Sequence, residues 1–372
     1  MRIAILTSSR ADYGIYLPLL RKLKNDSFFD LHLIVFGTHL SKFHGYTIDA
    51  IMADGFKIDH AVEHIMQEDS PEAISKSMAT ASLKFSAIWE KEKDNYDLAF
   101  CLGDRYEMFA AVTAAVPFNI KFAHIHGGET TLGAIDNKFR HCLSIFSILH
   151  FTSTENYSEK VATITGSDSG IYTVGALSLD NLEQMHLLSK EQFLRQYKIN
   201  LNHSTILVTF HPETIALEKN DKHVKELTKA LTTFSNHQVI ITMPNADPMG
   251  NILRKEYEKF AQSQPNVFLV ENFGTLGYFS CMKYCDFVLG NSSSGIIEAA
   301  SFHKYAVDIG TRQSGRMTSG NIIHVNAESV SIVEACKRAL SVGSYKGSNI
   351  YFKGGASTAI INVLKNANIG GI

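Results

Sequence analysis

Short apolar runs alternate with longer amphipathic stretches along almost the whole chain. In the first half the runs are RIAILT (2–7), DLHLIVF (30–36), DLAFCL (97–102), KFAHI (121–125), ILHFT (148–152) and IYTVG (171–175). In the second half they are TILVTF (205–210), QVIITM (238–243), VFLV (267–270), DFVLG (286–290), YAVDIG (305–310) and IIHV (322–325). Each has the length of a strand, and near-continuous apolar character marks strands covered on both faces, as in parallel sheets. Helices are predicted between them. One spans 13–24, and another spans 71–93, where Ser70-Pro71 supplies a capping side chain followed by a proline at the first helical position. A charged amphipathic stretch over 179–202 separates the two series, and a last helix over 357–366 has no strand after it. Strand and helix in alternation predict βα units, and two series of similar length predict two doubly wound Rossmann-like α/β domains facing a central cleft. The expected boundaries are 1–175, 176–355 and a terminal helical segment over 356–372.

Composition narrows the function classes. The chain has 372 residues, more than one hydrophobic core usually fills. It is 45% hydrophobic and 19% charged with a formal net charge of -2, so no global field favours nucleic acid or an anionic membrane. No apolar run approaches the roughly 18 residues of a membrane span, and MRIAILTSSR is too brief for a secretory leader, so a cytoplasmic protein is expected. The five cysteines lack paired C-x-x-C spacing, which fits a reducing compartment. Cys281 and Cys285 are expected as buried neighbours on one helix face. Neither first βα loop carries G-x-G-x-x-G: one reads TSSRADYG and the other FHPET, which disfavours a dinucleotide cofactor.

Candidate chemistry collects where strands end. Between Cys101 and His141 lie Asp104, Arg105, Glu107, His124, His126, Glu129, Asp136, Lys138 and Arg140, and ligands of open α/β sheets bind at the carboxyl ends of strands. Removing a proton from carbon and protonating a leaving group need at least two such groups, and Asp104, Glu129 and Asp136, the last expected in a glycine-containing loop, supply them. His124 and His126, at i and i+2 on one strand face, admit a metal reading that no H-E-x-x-H spacing supports. In FVLGNSSSGIIEAA (287–300) a strand runs through Ser292, Ser293 and Ser294 into a helix, an arrangement suited to a phosphate or diphosphate. Glu298, about a turn further on, is placed to accept hydrogen bonds from ribose hydroxyls. Arg10 and Arg312 occupy strand-end loops from which a guanidinium can clamp phosphate. His211 follows TILVTF directly, where it can hold phosphate or move a proton, and Asn245 ends another predicted strand where it can contact base or sugar.

The motifs S-R-A-D-Y-G (9–14), L-G-D-R-Y-E (102–107), H-I-H-G-G-E (124–129), F-H-P-E-T (210–214), G-N-S-S-S-G (290–295) and G-T-R-Q-S-G-R (310–316), in this order, resemble the hydrolysing UDP-N-acetylglucosamine 2-epimerases of sialic acid synthesis, the bacterial NeuC type. The resemblance implies a GT-B fold whose last helix returns to the first domain. It also implies a reaction without cofactor or metal, in which UDP-GlcNAc and water give N-acetylmannosamine and UDP through a 2-acetamidoglucal, for sialic acid or capsule glycan synthesis. By the same resemblance Asp104, Asp136 and His211 match catalytic positions, while Arg10, Arg105, Asn245, Ser292, Ser293, Glu298 and Arg312 match nucleotide contacts. A homodimer or homotetramer is implied, with no nucleic-acid or membrane partner. Many family members read H-I-E-G-G-E where this chain has His126, so either His126 or Glu129 fills the acid/base role of that glutamate. The same chemistry on UDP-2,4-diacetamido-2,4,6-trideoxyglucose, as in legionaminic acid synthesis, is an open alternative. So are a non-hydrolysing epimerase, a GT-B glycosyltransferase and a non-catalytic nucleotide-sugar sensor.

Overall fold

A computed structural model describes residues 1–42, 46–66, 68, 70–244 and 250–366. It divides into two compact units, each built on one parallel sheet. The first unit contains residues 1–129, 136–184 and the chain from Tyr351 onward, and the second contains Thr130–Ile135 and Met185–Ile350.

The seven strands of the first unit are β1 (Arg2–Thr7), β2 (Asp30–Phe36), β3 (His60–Val62), β4 (Leu98–Leu102), β5 (Phe122–Ile125), β6 (Leu149–Thr152) and β7 (Ile171–Thr173), ordered β3-β2-β1-β4-β5-β6-β7. Every pairing is parallel. The order reverses between β1 and β4, which makes their carboxyl ends the topological switch point. β4, β5 and β6 are buried at every position, as strands covered by helices on both faces must be. Trp89, fully buried on the helix Pro71–Glu92, packs edge-on against Phe122 and donates its indole N–H to the Ala111 carbonyl at 2.9 Å. The helix Ala356–Asn366 belongs to this unit: Asp180 accepts its first backbone N–H groups, Ala356 at 2.9 Å and Ser357 at 2.7 Å. A carboxylate on those otherwise unpaired N–H groups is stabilised by the helix dipole as well.

The second unit has six strands, β8 (Thr205–Thr209), β9 (Gln238–Thr242), β10 (Val267–Val270), β11 (Phe287–Gly290), β12 (Ala306–Ile309) and β13 (Ile322–Val325), ordered β10-β9-β8-β11-β12-β13 and again all parallel. Its switch point lies between β8 and β11. The segment Thr130–Ile135 counts with this unit because the Leu132 N–H donates to the Ser314 carbonyl at 3.0 Å and the Ile135 N–H to the Thr214 hydroxyl at 2.9 Å. Both sheets carry the Rossmann-like pattern expected from the sequence.

Three local readings differ. The edge strand His60–Val62 is absent from the hydrophobic pattern, since only Val62 is buried in it. Asp136 opens the helix Asp136–Ile145 instead of lying in a loop, because the glycine-containing turn ends at Ile135. Cys281 and Cys285 are both buried and free, but the helix Gly274–Tyr284 stops before Cys285, which caps it by donating its N–H to the Cys281 carbonyl at 2.8 Å. No helix among the described residues is long and apolar enough to cross a membrane.

Candidate active site

In the first unit the turn after β5 is built for close approach. His126 sits at φ 65, a left-handed conformation that histidine tolerates better than branched residues, and its N–H donates to the Phe151 carbonyl at 3.0 Å. Gly128 at φ 78 would place a Cβ 2.3 Å from the Tyr157 carbonyl, so only glycine fits. This backbone turns Glu129 back beneath His126, and the His126 Nδ1 meets the Glu129 Oε1 at 2.7 Å. A carboxylate accepts, so Nδ1 carries the proton. Ser153, at the end of β6, donates to the same oxygen at 3.0 Å. Glu129 is 1% exposed.

Arg140 compensates that buried charge. It lies one helical turn after Asp136, on the same face, and is itself 1% exposed. One guanidinium nitrogen donates to the Glu129 Oε2 at 3.2 Å and the other to the Asp104 Oδ2 just beyond β4. A single cation thus ties together the carboxylates that end two neighbouring strands, the geometry in which a guanidinium fork is most effective. Next to Asp104, Arg105 forks onto Glu107 at 2.7 and 3.2 Å. Glu107 is fully buried, and burial pushes its carboxyl upward while the Arg105 charge pulls it back.

The loops after β1 and β2 adjoin this cluster. Ser8 and Ser9 donate to the Asp12 carboxylate at 2.5 and 2.8 Å, and Arg10 begins the helix Arg10–Asn25 with Ser9 as its cap. Buried His39 shares hydrogen bonds with Thr7 at 2.9 Å and Thr47 at 2.7 Å, and burial, with Arg105 nearby, depresses its pKa to about 3. His124 is held neutral in the same way, at about 3, and engages Ser144 at 3.0 Å and the Gly103 carbonyl at 2.9 Å with its two nitrogens. That leaves His124 no lone pair for the metal reading, and among the described residues no group of three or more His, Cys, Asp or Glu is placed to hold an ion.

In the second unit the corresponding ends are those of β8, β11 and β12. His211 follows β8 and is 8% exposed. Gly290, the last residue of β11, has φ 139 and would place a Cβ 2.0 Å from the Thr209 carbonyl. Ser292 then caps the short helix Ser293–Ile297 by accepting the Ser294 N–H at 3.3 Å, and Ser294 also donates its hydroxyl to Ser292 at 3.1 Å. From below, the hydroxyls of Thr242, Thr209 and Tyr278 form a chain, at 2.8 and 3.1 Å, that reaches Ser294 at 2.6 Å. Glu298 is buried at the end of that helix. Arg312 lies beyond β12 in a loop anchored by Glu213, which accepts the Thr311 N–H at 2.6 Å.

The structure therefore brings Asp104, His126 and Glu129 together in one unit, with Asp136 a turn before their shared arginine, and gathers His211, Ser292, Ser293, Ser294 and Arg312 at strand ends of the other. Asn245 lies outside the described residues. Sequence reasoning placed Arg140 in the ionisable cluster without a role and passed over Ser153 and Asn291. The i, i+4 spacing of Asp136 and Arg140 was the available signal for the first.

Two Rossmann-like parallel sheets with polar strand-end loops at each switch point define an α/β protein of the GT-B class. The chain belongs to the UDP-N-acetylglucosamine 2-epimerase family, whose sequence profile matches residues 21–365. The GDP/UDP-N,N'-diacetylbacillosamine 2-epimerase (hydrolyzing) of Campylobacter jejuni is 33% identical over 87% of this chain and 83% of its own. The polysialic acid biosynthesis protein P7 of Escherichia coli is 33% identical over 98% of this chain and 94% of its own. Among solved structures, UDP-GlcNAc 2-epimerase from Neisseria meningitidis bound to UDP-GlcNAc matches with a TM-score of 0.83 at 19% identity, over 99% of this chain and 100% of that one, a likeness of fold.

Proposed function

We propose that the protein is a hydrolysing 2-epimerase converting UDP-N-acetylglucosamine and water to N-acetylmannosamine and UDP. The observation that carries this reading is the Asp104–Arg140–Glu129–His126 network in a chain of the 2-epimerase family. In the proposed sequence a base takes the C2 proton and the C1–O bond to UDP breaks, leaving 2-acetamidoglucal. Water then adds its hydroxyl to C1 and a proton reaches C2 on the opposite face.

Within it, His126 is the proton carrier. Glu129 holds its Nδ1, and among the described residues the buried Nε2 has no hydrogen-bond partner, which leaves a lone pair for the C2 proton. Glu129 orients and charge-compensates the ring, as the third member of a nucleophile or base array does. Asp104 and Asp136 are the second acid/base candidates. His211, Ser292, Ser293, Ser294, Glu298, Arg312, Arg10, Arg105 and Asn245 are assigned to the nucleotide and its diphosphate. No cofactor or metal enters the sequence.

A second reading keeps every step and changes the donor to UDP-2,4-diacetamido-2,4,6-trideoxyglucose, favoured by the name of the Campylobacter relative. The test is UDP release from each donor by wild type and Asp104→Asn. Release from either donor, lost in the variant while UDP affinity is kept, supports the reading, and kcat/KM on the two donors ranks them. No UDP release from either donor refutes it.

A further inference from the structure

We infer that Asn291 is a positioning residue that locks the His211 loop, the serine turn and the Arg312 loop into one diphosphate-binding arrangement. This rests on the proposed reading of those residues as nucleotide contacts.

Asn291, in the turn after β11, is fully buried, and its hydrogen-bonding groups go to the ends of β8 and β12. Its side-chain Oδ1 accepts the His211 N–H at 2.7 Å, and its Nδ2 donates to the His211 carbonyl at 2.8 Å. The pairing of β11 with β8 runs to Gly290 opposite Thr209, and the Asn291 N–H adds a bond to the Thr209 carbonyl at 3.1 Å. One residue further the backbone turns into Ser292, and the Asn291 amide takes over, offering a donor and an acceptor side by side as a strand backbone would. The Asn291 carbonyl faces the third loop. It accepts the Gln313 amide at 2.7 Å and, more loosely, the Arg312 guanidinium at 3.4 Å.

Only an asparagine-length amide makes this connection. Aspartate keeps an acceptor for the His211 N–H but turns a second acceptor, where the amide has a donor, toward the His211 carbonyl. One bond so becomes a repulsion, while an apolar residue leaves a buried N–H and C=O unpaired. The expected consequence falls on ligand affinity, because the loops that move carry the residues assigned to the diphosphate, while Asp104, His126 and Glu129 belong to the other unit.

The experiment measures UDP binding by calorimetry and steady-state kinetics on the full chain. Asn291→Asp is expected to raise the UDP Kd by about tenfold or more, the effect of losing about one hydrogen bond to the charged diphosphate when the loops shift. Its kcat should fall by less than about threefold, since Asp104, His126 and Glu129 stay in place and His211 is assigned here to the diphosphate. Gln313→Leu should act in the same direction to a smaller extent, and it carries the test if Asn291→Asp does not fold. Arg312→Ala should weaken UDP less in the Asn291→Asp background than in wild type, because the guanidinium is already misplaced. A purely structural residue would lower thermal stability with unchanged Kd, or with losses that multiply, and either result overturns the inference. Wild type that binds UDP but releases none from a donor refutes the epimerase reading and leaves the Kd comparison intact. Wild type that binds no UDP overturns both.

Discussion

Replacing Arg140 with methionine removes the cation that bridges Asp104 and Glu129 while keeping most of the side-chain volume. Breaking a buried ion pair from one side costs about 3–5 kcal/mol, because the remaining charge is stranded. The low end applies here. Glu129 keeps its bonds to His126 at 2.7 Å and Ser153 at 3.0 Å, and Asp104 is 22% exposed, so water compensates part of its charge. A loss of about 3 kcal/mol leaves a typical domain folded at room temperature, since such domains have about 5–15 kcal/mol in hand. The chain has a single tryptophan, Trp89, fully buried in the same unit as Arg140, so its fluorescence in a urea titration reports that unit alone. The decisive comparison is a double-substitution cycle. Glu129→Gln alone should destabilise, but in the Arg140→Met background it should recover about 1 kcal/mol or more, because it removes the stranded charge. If Glu129→Gln costs the same in both backgrounds, Arg140 does not neutralise Glu129, and the network argument fails.

The remaining predictions concern other parts of the chain. His39 has its pKa held at about 3 against 6.5 in the unfolded chain, so below pH 6.5 the unfolded state takes a proton that the native site refuses. Its contribution is therefore complete above pH 6.5 and lost progressively as the pH falls toward 3, reaching about 2 kcal/mol at pH 5 at about 1.4 kcal/mol per unit. In His39→Gln the loss of stability between pH 7 and pH 5 should shrink by about that amount in urea titrations, and an unchanged loss would contradict the assignment. Gly290→Ala forces a Cβ to 2.0 Å from the Thr209 carbonyl at φ 139, so the variant should lose about 2 kcal/mol or more and bind UDP poorly; wild-type stability would count against the turn geometry. Of the five free cysteines only Cys142 is partly exposed, and burial pushes the thiols of Cys101, Cys285 and Cys336 up to about 12. A thiol reagent should therefore modify about one cysteine in the native protein, with the rest reacting only on unfolding.

The parallel strands were legible because a strand buried on both faces shows as an uninterrupted apolar run, as LAFCL and TILVT do. The edge strand His60–Val62 escaped for the complementary reason: one buried side chain leaves no pattern. In the site, the turn residues His126, Gly127 and Gly128 and the nearby carboxylates could be found from sequence, because glycine and ionisable groups past a strand are local signals. Pairings could not. That Glu129 turns back onto His126, that Arg140 bridges to Asp104, and that Asn291 reaches from one strand end to another are consequences of register between strands far apart in sequence. Beyond its i, i+4 spacing from Asp136, nothing in the sequence separates the buried Arg140 from a solvated arginine, and nothing local marks Asn291.

In the proposed reaction C2 deprotonation, UDP departure and water addition all occur on this protein. The most direct measurement is to incubate it with UDP-N-acetylglucosamine in D₂O and analyse the products by mass spectrometry and proton NMR. Free N-acetylmannosamine with one deuterium at C2, formed with an equal amount of UDP, is the predicted result. Free sugar that keeps its C2 proton, or UDP-N-acetylmannosamine as the stable product, would contradict it.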